Sequence, residues 1–565
     1  MTKTAPVYTV ENKCQDCYKC VRHCHCKAIR IVEGKASVIT ENCVSCGECV
    51  KICPSHAKKI RKDLPRLRQM LENGTKLYAS IAPSFTAYFP GVTIGQLATA
   101  LKKIGFAGVA ETAIGAQAVS RETAEFLKTT DLSLGISSAC PACVDYIRKY
   151  LPQYTRNILP LHSPIMAHCR MIKEQFGEDC KVVFFGPCAA KKNEADRNPE
   201  TLSLVITFAV LEELMDEYGI IPMAEDEAPL VTESAEEGRF YAVEGGMNDT
   251  LRDENLDVRY ISVSGLDNLD RMLRFYSGVP GKRKIFLETL ACPGGCINGP
   301  VIPAEYAGSL DIIAHTDQIS SLKSSSGRKM QGNINAKFQP EPVVESKASD
   351  RELTVALTKV GKFTREDELN CGACGYSTCR EFAAALIANK AEEAMCHTYL
   401  RKNFERTSNA LIRFIPAAVV MVDENLNICE CNRNFAIMCG MTDVYDTLGN
   451  LNSIPIDNAM PILSELFSSV VINGGEIEKF NQKLNDKIVN ISAFSIAQGK
   501  SAGAVIQDIT KNELQREHIA EKAREVIRKN VLTVQQVARL FGEHVADTEI
   551  LLNEIAGSYE RRGGQ

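Results

Sequence analysis

Residues 284–300 read KIFLETLACPGGCINGP, a pattern that sets the architecture expected for the largest part of the chain. The apolar run KIFL reads as a short buried strand, and two cysteines four apart follow at its carboxyl end. The glycines at 294, 295 and 299 admit two readings. They give backbone room to pass close to something bulky, with positive φ where needed, or they are incidental to a tight thiol-bearing loop. Pro293 stiffens the turn under either reading.

The same pattern recurs upstream. Between about residues 75 and 345, short apolar runs (KLYASIA, KVVFF, KIFL) alternate with helical stretches (TIGQLATALKKIG, LEELMDEYG). This predicts a mixed α/β domain of largely parallel sheets covered by helices. Three of the runs end in cysteine loops, LGISSACPAC, VFFGPCAAKKNEADR and FLETLACPGGC. Loops at the carboxyl ends of such strands form the ligand crevice, so Cys140, Cys188, Cys292 and Cys296 are expected to converge. Four thiolates hold one 4Fe-4S cluster.

Composition supports a metal reading. At 565 residues the chain has room for three to five domains. Its formal charge of −5 gives no basic face for nucleic acid. No apolar run has the length of a membrane span, and MTKTAPVYTVENK lacks a signal core, so a cytoplasmic protein off the membrane is expected. Twenty-three cysteines in a reducing compartment are metal ligands rather than disulfides.

The amino-terminal blocks CQDCYKCVRHCHCKAI and CVSCGECVKICPSHA each give CxxCxxCxxxC. In that run the first three thiolates hold one 4Fe-4S cluster and the fourth serves its neighbour. Cys14, Cys17, Cys20 and Cys53 are assigned to one cluster, and Cys43, Cys46, Cys49 and Cys24 to the other. His25 stands where a proline usually follows the fourth cysteine, and Cys26 is a spare thiol. The basic run KKIRKDLPRLR reads as a solvated linker or helix face, with docking of an acidic electron carrier as the alternative.

The segments SSACPA, GPCAAKKNEADR and ETLACPGGCINGP resemble the three signature segments of the FeFe hydrogenases. The active centre of that family, the H-cluster, is a 4Fe-4S cubane bridged by a cysteine to a diiron unit carrying CO, cyanide and a dithiolate. The resemblance covers roughly residues 1 to 340. It implies that Cys140, Cys188, Cys292 and Cys296 ligate the cubane, with Cys296 also bridging to the diiron unit. It implies that Lys191 hydrogen-bonds a cyanide, a role suited to a point-like cationic donor. Glu194 and Arg197 complete the second segment and are expected to lock its loop, a surface salt bridge being the alternative.

The departures bear on rate. Active members of the family place a proton-passing cysteine just before the first cubane ligand, and here that residue is Ala139, which carries no proton. Gly186 and Leu290 stand where methionines are usual, and Cys143 where tryptophan is common. Cys143 reads either as a substitute proton carrier or as a buried inert thiol. Glu122 and Glu125, in RETAEFL, read as an outer relay or as exposed helix carboxylates. Slow catalysis with retained binding of dihydrogen is expected.

SLKSSSGRKMQGN, at residues 321–333, reads as a boundary. Beyond it LNCGACGYSTCREFAAALIANKAEEAMC supplies Cys371, Cys374, Cys379 and Cys396, the last expected at the end of the helix REFAAALIANKAEEA. The segment resembles a small four-cysteine 4Fe-4S domain, with zinc as the alternative metal. FIPAAVVMVDENLNICECNRNFAIMCG and the closing GAVIQDIT resemble a PAS domain. From Ile527 through Val531, Val534, Ala538, Phe541, Val545, Thr548 and Leu552 to Ile555, apolar residues follow steps of four and three, a coiled-coil seam.

The fold expected is therefore multidomain α/β and α+β. A ferredoxin-like 2x(4Fe-4S) domain occupies 1–62, an FeFe-hydrogenase H-cluster domain 63–345, a four-cysteine 4Fe-4S domain 350–405, a PAS domain 406–510 and a coiled-coil output helix 511–565. This order resembles the sensory FeFe hydrogenases. It implies an H-cluster, three additional 4Fe-4S clusters, and dihydrogen and protons as substrates. The partners implied are a ferredoxin or similar electron carrier, hydrogenase maturation proteins, a separate kinase or phosphatase and a second copy in a homodimer. A housekeeping ferredoxin-linked hydrogenase and a hydrogenase-derived iron-sulfur scaffold or redox sensor lacking the diiron unit are the competing readings.

Overall fold

The computed structural model describes residues 5–233, 235, 237–252, 257–276, 283–303, 305, 334–344, 348–484, 487–510 and 522–530. They form two compact units that divide between Glu392 and Glu393, inside the segment expected as one domain at 350–405.

The first unit begins with two small antiparallel pairs, Val7–Thr9 with Lys58–Ile60 and Ile29–Val32 with Lys35–Val38. One-turn helices Lys19–Arg22 and Glu48–Lys51 carry Cys20 and Cys49, the third cysteine of each block. The duplicated spacing has become a duplicated turn.

Two parallel sheets follow. One orders the strands Gly108–Glu111, Leu77–Ile81, Lys181–Gly186 and Leu204–Thr207. The other orders Val258–Ser264, Lys284–Leu290 and Leu134–Ile136. Leu77–Ile81, Gly108–Glu111 and Leu204–Thr207 are buried at every position, as parallel strands covered on both faces must be. The helix Ile94–Ile104 opens on a Thr93–Gln96 capping box and closes on Gly105 at φ 118°. The stretch LEELMDEYG lies mostly in the helix Phe208–Glu217.

Two expectations change here. The run at residues 58–68 is not a free linker: several of its cations are held by partners within the chain, while Lys62, Arg66 and Arg68 stay about half exposed. Lys58 is buried and donates to Thr9 Oγ1 (2.6 Å) and the Ala36 carbonyl (3.3 Å). Arg61 pairs with Asp63 and Asp196 at 2.9 Å, Lys62 with Glu213 at 2.6 Å, and Arg68 with Glu217. The cations bind carboxylates of the helices Lys191–Arg197 and Phe208–Glu217, and so fasten the cysteine-rich segment to the sheets. At its centre the fully buried Lys192 donates to Asp63 at 2.9 Å; burial draws its ammonium down to about 8 against the pull of Asp63.

The second change concerns the helix expected from REFAAALIANKAEEA, which runs only Cys379–Ile387. Asn389 takes a left-handed conformation at φ 53°, and the Lys390 amide returns to the Ala385 carbonyl at 2.8 Å, a glycine-like helix stop. Cys396 instead caps the start of the next helix, His397–Phe414.

In the second unit a five-stranded antiparallel sheet runs Ile428–Cys431, Ala418–Asp423, Ser501–Asp508, Lys487–Ala497 and Glu476–Leu484. Val489, Ile491 and Ala493 are buried in period two, and the helix Ile462–Asn473 packs Leu463, Phe467 and Val470 into the same core. The Asp423 carboxylate accepts the Asn425 and Asn427 amides at 2.9 Å, closing the turn between the first two strands. Asn432, wholly buried, accepts the Val419 and Phe435 amides at 3.0 Å and donates to the Ala417 carbonyl at 2.7 Å.

Of the expected carboxy-terminal seam only Ile527 falls among the described residues, in the helical stretch 522–530. The rest of the seam and the boundary at 321–333 lie outside them. Among the described residues no helix is long and apolar enough to cross a membrane.

Candidate metal centre

The loops after Leu134–Ile136, Lys181–Gly186 and Lys284–Leu290 meet around a cavity of about 90 Å³. Cys140, Cys188 and Cys296 line it, together with Ala139 and Lys191. Cys292 stands behind them; desolvation first, then the charges of Cys188, Cys296 and Cys140, push its thiol well up. The four cysteines thus come together from two different sheets.

Cys140 caps the helix Pro141–Tyr150, whose first position is a proline that has no amide to leave unpaired. A hydrogen bond from the Cys143 thiol draws Cys140 down to about 6 despite its desolvation, which favours the thiolate a metal binds. Cys143 itself is fully buried in a core with Leu134, Ile147 and Leu269, and does not line the cavity. Burial pushes its thiol well above the ordinary range.

In the second loop Lys191 Nζ donates to Glu194 Oε2 at 2.8 Å and to the Ala139 carbonyl at 3.3 Å. Burial opposes the charge on Lys191, yet Glu194 holds its ammonium above the ordinary value. Arg197 reaches Asp145 at 2.7 Å, tying this loop to the helix that begins after Cys140. Glu194 and Arg197 both pair, with different partners.

The third loop answers the question of its glycines. A Cβ on Gly295, at φ 109°, would fall 2.5 Å from the Ala242 carbonyl oxygen. The close approach is to the chain's own segment 242–244, which bridges to Gly295 through Val243. At Gly186 a Cβ would lie 2.5 Å from the Phe184 ring, which occupies that space and faces the cavity. Leu290 completes this altered wall.

Two wall residues escaped the sequence reading. Glu288 is 2% exposed and accepts the Met247 amide (3.2 Å), the Asn248 amide (3.3 Å) and the Ser262 hydroxyl (3.1 Å). Burial pushes its carboxyl up to about 7 against those bonds. A lone glutamate inside an otherwise buried strand was the available signal. Ser84 is also buried on the wall, and among the described residues its hydroxyl has no hydrogen-bond partner. Nothing in IAPSF marked it. Glu125 pairs with Lys128 at 2.7 Å on an exposed helix face, and neither it nor Glu122 lines the cavity.

The other cysteine sets are also brought together. Cys14, Cys17, Cys20 and Cys53 line one small cavity of about 20 Å³. The thiols of Cys24, Cys43, Cys46 and Cys49 lie close enough that each of Cys46 and Cys49 is raised, after desolvation, by its neighbours' charges. The Ala28 amide donates to Cys24 Sγ and the Ser45 amide to Cys43 Sγ, both at 3.3 Å. Cys26 is buried beside this set, and His25 bonds Asp267 at 2.5 Å. Cys371, Cys374 and Cys379 lie in the first unit and Cys396 in the second. Among the described residues no three His, Cys, Asp or Glu side chains converge as ligands of a single metal ion; cubane ligands stand around a body rather than a point.

Three thiols on the cavity wall with that of Cys292 beside them, an ammonium held by Glu194 and the unpartnered Ser84 hydroxyl make a donor set that fits a 4Fe-4S cubane with an adjoining group bearing anionic ligands. The family model for the iron only hydrogenase large subunit, C-terminal domain, matches residues 75–300. The 4Fe-4S binding domain model matches residues 36–59, and a model for an Fe-S cluster matches 367–397. The NADP-reducing hydrogenase subunit HndD of Solidesulfovibrio fructosivorans is 25% identical over 343 residues, 49% of this chain and 58% of its own. Iron hydrogenase 1 of Clostridium pasteurianum is 26% identical over 298 residues, 43% of this chain and 52% of its own. Nuclear prelamin A recognition factor of Xenopus laevis is 26% identical over 341 residues, 47% of this chain and 75% of its own. The chain thus spans just over half the length of the two hydrogenases. It is a hydrogenase-like iron-sulfur protein that carries an iron-only hydrogenase large-subunit domain.

Proposed function

We propose that the chain is a sensory hydrogenase, which binds and slowly oxidises dihydrogen, or reduces protons, and passes its redox state to a separate regulatory partner. The observation that carries this reading is the cavity wall, where Lys191 and three of the four cysteines stand beside an alanine. Cys140, Cys188, Cys292 and Cys296 would hold an H-cluster, which would supply heterolytic hydrogen chemistry and a cubane that takes electrons. Lys191, kept charged by Glu194, would donate to an anionic ligand of that group, and the unpartnered Ser84 hydroxyl could do the same. Ala139 offers no proton, so the last proton step is left to a slower route. Glu288, with a carboxyl near 7, holds or releases a proton at neutral pH and has Ser262 Oγ at 3.1 Å to exchange it with. Slow turnover suits a sensor, because signalling needs occupancy rather than flux.

The remaining cysteine sets are read as three further 4Fe-4S clusters. The five-stranded sheet between Ala418 and Asp508, with its intervening helices, supports a PAS domain at 406–510. A redox change there would bias the output segment at 511–565, helical over its described residues 522–530, toward a kinase or phosphatase partner.

The test is infrared spectroscopy of anaerobically matured protein. Iron-bound CO and cyanide bands that shift under hydrogen are expected. A second reading, an iron-sulfur scaffold or redox sensor without a diiron unit, is favoured by Ala139 and takes over if full maturation yields no bands.

A further inference from the structure

We infer that the ferredoxin-type segment is an internal bridge, which carries electrons from the cavity cysteines to the cysteine loop at residues 371–379. The inference rests on the hydrogenase reading for its electron source, but its geometry is independent of it. Two close backbone contacts define the route.

The first joins the cavity loops to the second cysteine block. A Cβ on Gly47, between Cys46 and Cys49, would fall 2.5 Å from Pro300 Cβ and 3.8 Å from Ala189 Cβ. Gly47 therefore lies directly against the loops that carry Cys296 and Cys188. Asn193 donates to Ser45 Oγ at 3.1 Å and Lys51 to the Asn298 carbonyl at 3.4 Å across the same seam.

The second contact was not foreseen. A Cβ on Gly375 would fall 3.0 Å from Val21 Cγ1 and 3.1 Å from the Arg22 amide nitrogen. Gly375 follows Cys374, and Val21 and Arg22 follow Cys20, so two expected cluster ligands lie within two residues of the contact. Lys27 Nζ clasps the joint, donating to the carbonyls of Gly375 (2.7 Å), Val21 (3.3 Å) and Arg22 (3.4 Å). Its ammonium also stands 5.8 Å from the centre of the Tyr376 ring. A second strap runs from the Ile31 amide to the Lys390 carbonyl at 3.1 Å and from the Gly34 amide to Glu392 Oε2 at 3.3 Å. The surface beside Cys20 is thereby taken by the chain itself, where a soluble electron carrier would otherwise dock.

The order of transfer is then cavity, the set Cys24, Cys43, Cys46 and Cys49, the set Cys14, Cys17, Cys20 and Cys53, and the 371–379 loop. One dihydrogen yields two protons, released to water, and two electrons. Each 4Fe-4S cluster accepts one electron, so one oxidation reduces two clusters.

The test uses the full anaerobic chain and electron paramagnetic resonance. In dithionite-reduced protein, magnetic coupling is expected between the cluster at Cys14, Cys17, Cys20 and Cys53 and the cluster on the 371–379 loop. Cys17→Ser and Cys371→Ser should each abolish that coupling while leaving the other set's signal in place. Absence of coupling in the unaltered protein overturns the bridge. With hydrogen as reductant and freeze-quenching, Cys17→Ser should slow reduction of the 371–379 cluster at least tenfold while dithionite still reduces it; an unchanged rate overturns the route. If dithionite gives the coupling but hydrogen reduces no cluster, the hydrogenase reading fails and the bridge stands.

Discussion

Lys191 Nζ rests 3.3 Å from the Ala139 carbonyl, so the residue without a proton to give stands beside the ammonium that faces the cavity. Restoring a thiol there tests whether the missing proton carrier limits turnover. Ala139→Cys is expected to raise hydrogen evolution by about 10²-fold, the low end for a positioned acid or base. An unchanged rate, measured at equal cluster content, would place the limit elsewhere. Glu288 gives a pH prediction. Its carboxyl is raised from 4.5 to about 7, chiefly by burial. A raised folded value means that its favourable contribution is complete below the unfolded value and is lost as pH climbs through 7. The shift corresponds to roughly 3 kcal/mol. Glu288→Gln, which titrates nowhere in this range, should therefore gain stability relative to the unaltered chain between about pH 5 and 8. Denaturant unfolding at both ends of that window checks it, and parallel curves would sink it.

Among elements, the join between the cysteine-rich segment and the sheets depends on Asp63, which answers both Arg61 and the fully buried Lys192 at 2.9 Å. Asp63→Ala strands the Lys192 ammonium and is expected to cost about 3–5 kcal/mol. Lys192→Met leaves Asp63 with Arg61 and should cost clearly less, so equal losses in thermal unfolding would contradict this account. In the second unit, Asn432 ties the strand Ala418–Asp423 to the helix Arg433–Met438. Asn432→Ala orphans buried backbone groups and is expected to cost about 2–4 kcal/mol. Asn432→Asp keeps the two accepted bonds but sets a buried carboxylate oxygen against the Ala417 and Ile412 carbonyls, and should lose at least as much. Hydrogen exchange at the Val419 and Phe435 amides reports both variants.

At the scale of the whole molecule, hydrogen at one centre is proposed to reach a partner through the carboxy-terminal segment, of which residues 522–530 are helical. Amide exchange in residues 522–530 should then differ at least twofold between oxidised and hydrogen-reduced protein. Identical exchange in the two states would leave hydrogen chemistry without a signalling role. Transfer through the ferredoxin-type segment predicts the same loss of response when Cys17 is replaced, although that residue is far from the helix in sequence.

Several features were legible in the chain alone because they are local or periodic. Cysteine spacing in the first 57 residues sorts the thiols into two sets, and those sets do lie together. The apolar runs ending in cysteines foretold buried parallel strands with their loops in one crevice, because a strand covered on both faces has no polar side to show. Other features were decided only by packing. Glu288 and Ser84 became wall residues because strands distant in sequence close around one cavity. The basic run at 58–68 found its carboxylates about 130 to 150 residues away, and charge patterning cannot report partners at that separation. Cys143 turned into the core, and Gly375 came against Val21, through side-chain direction and backbone approach. Spacing groups the cysteines of each set, but which sets touch is a property of the folded surface.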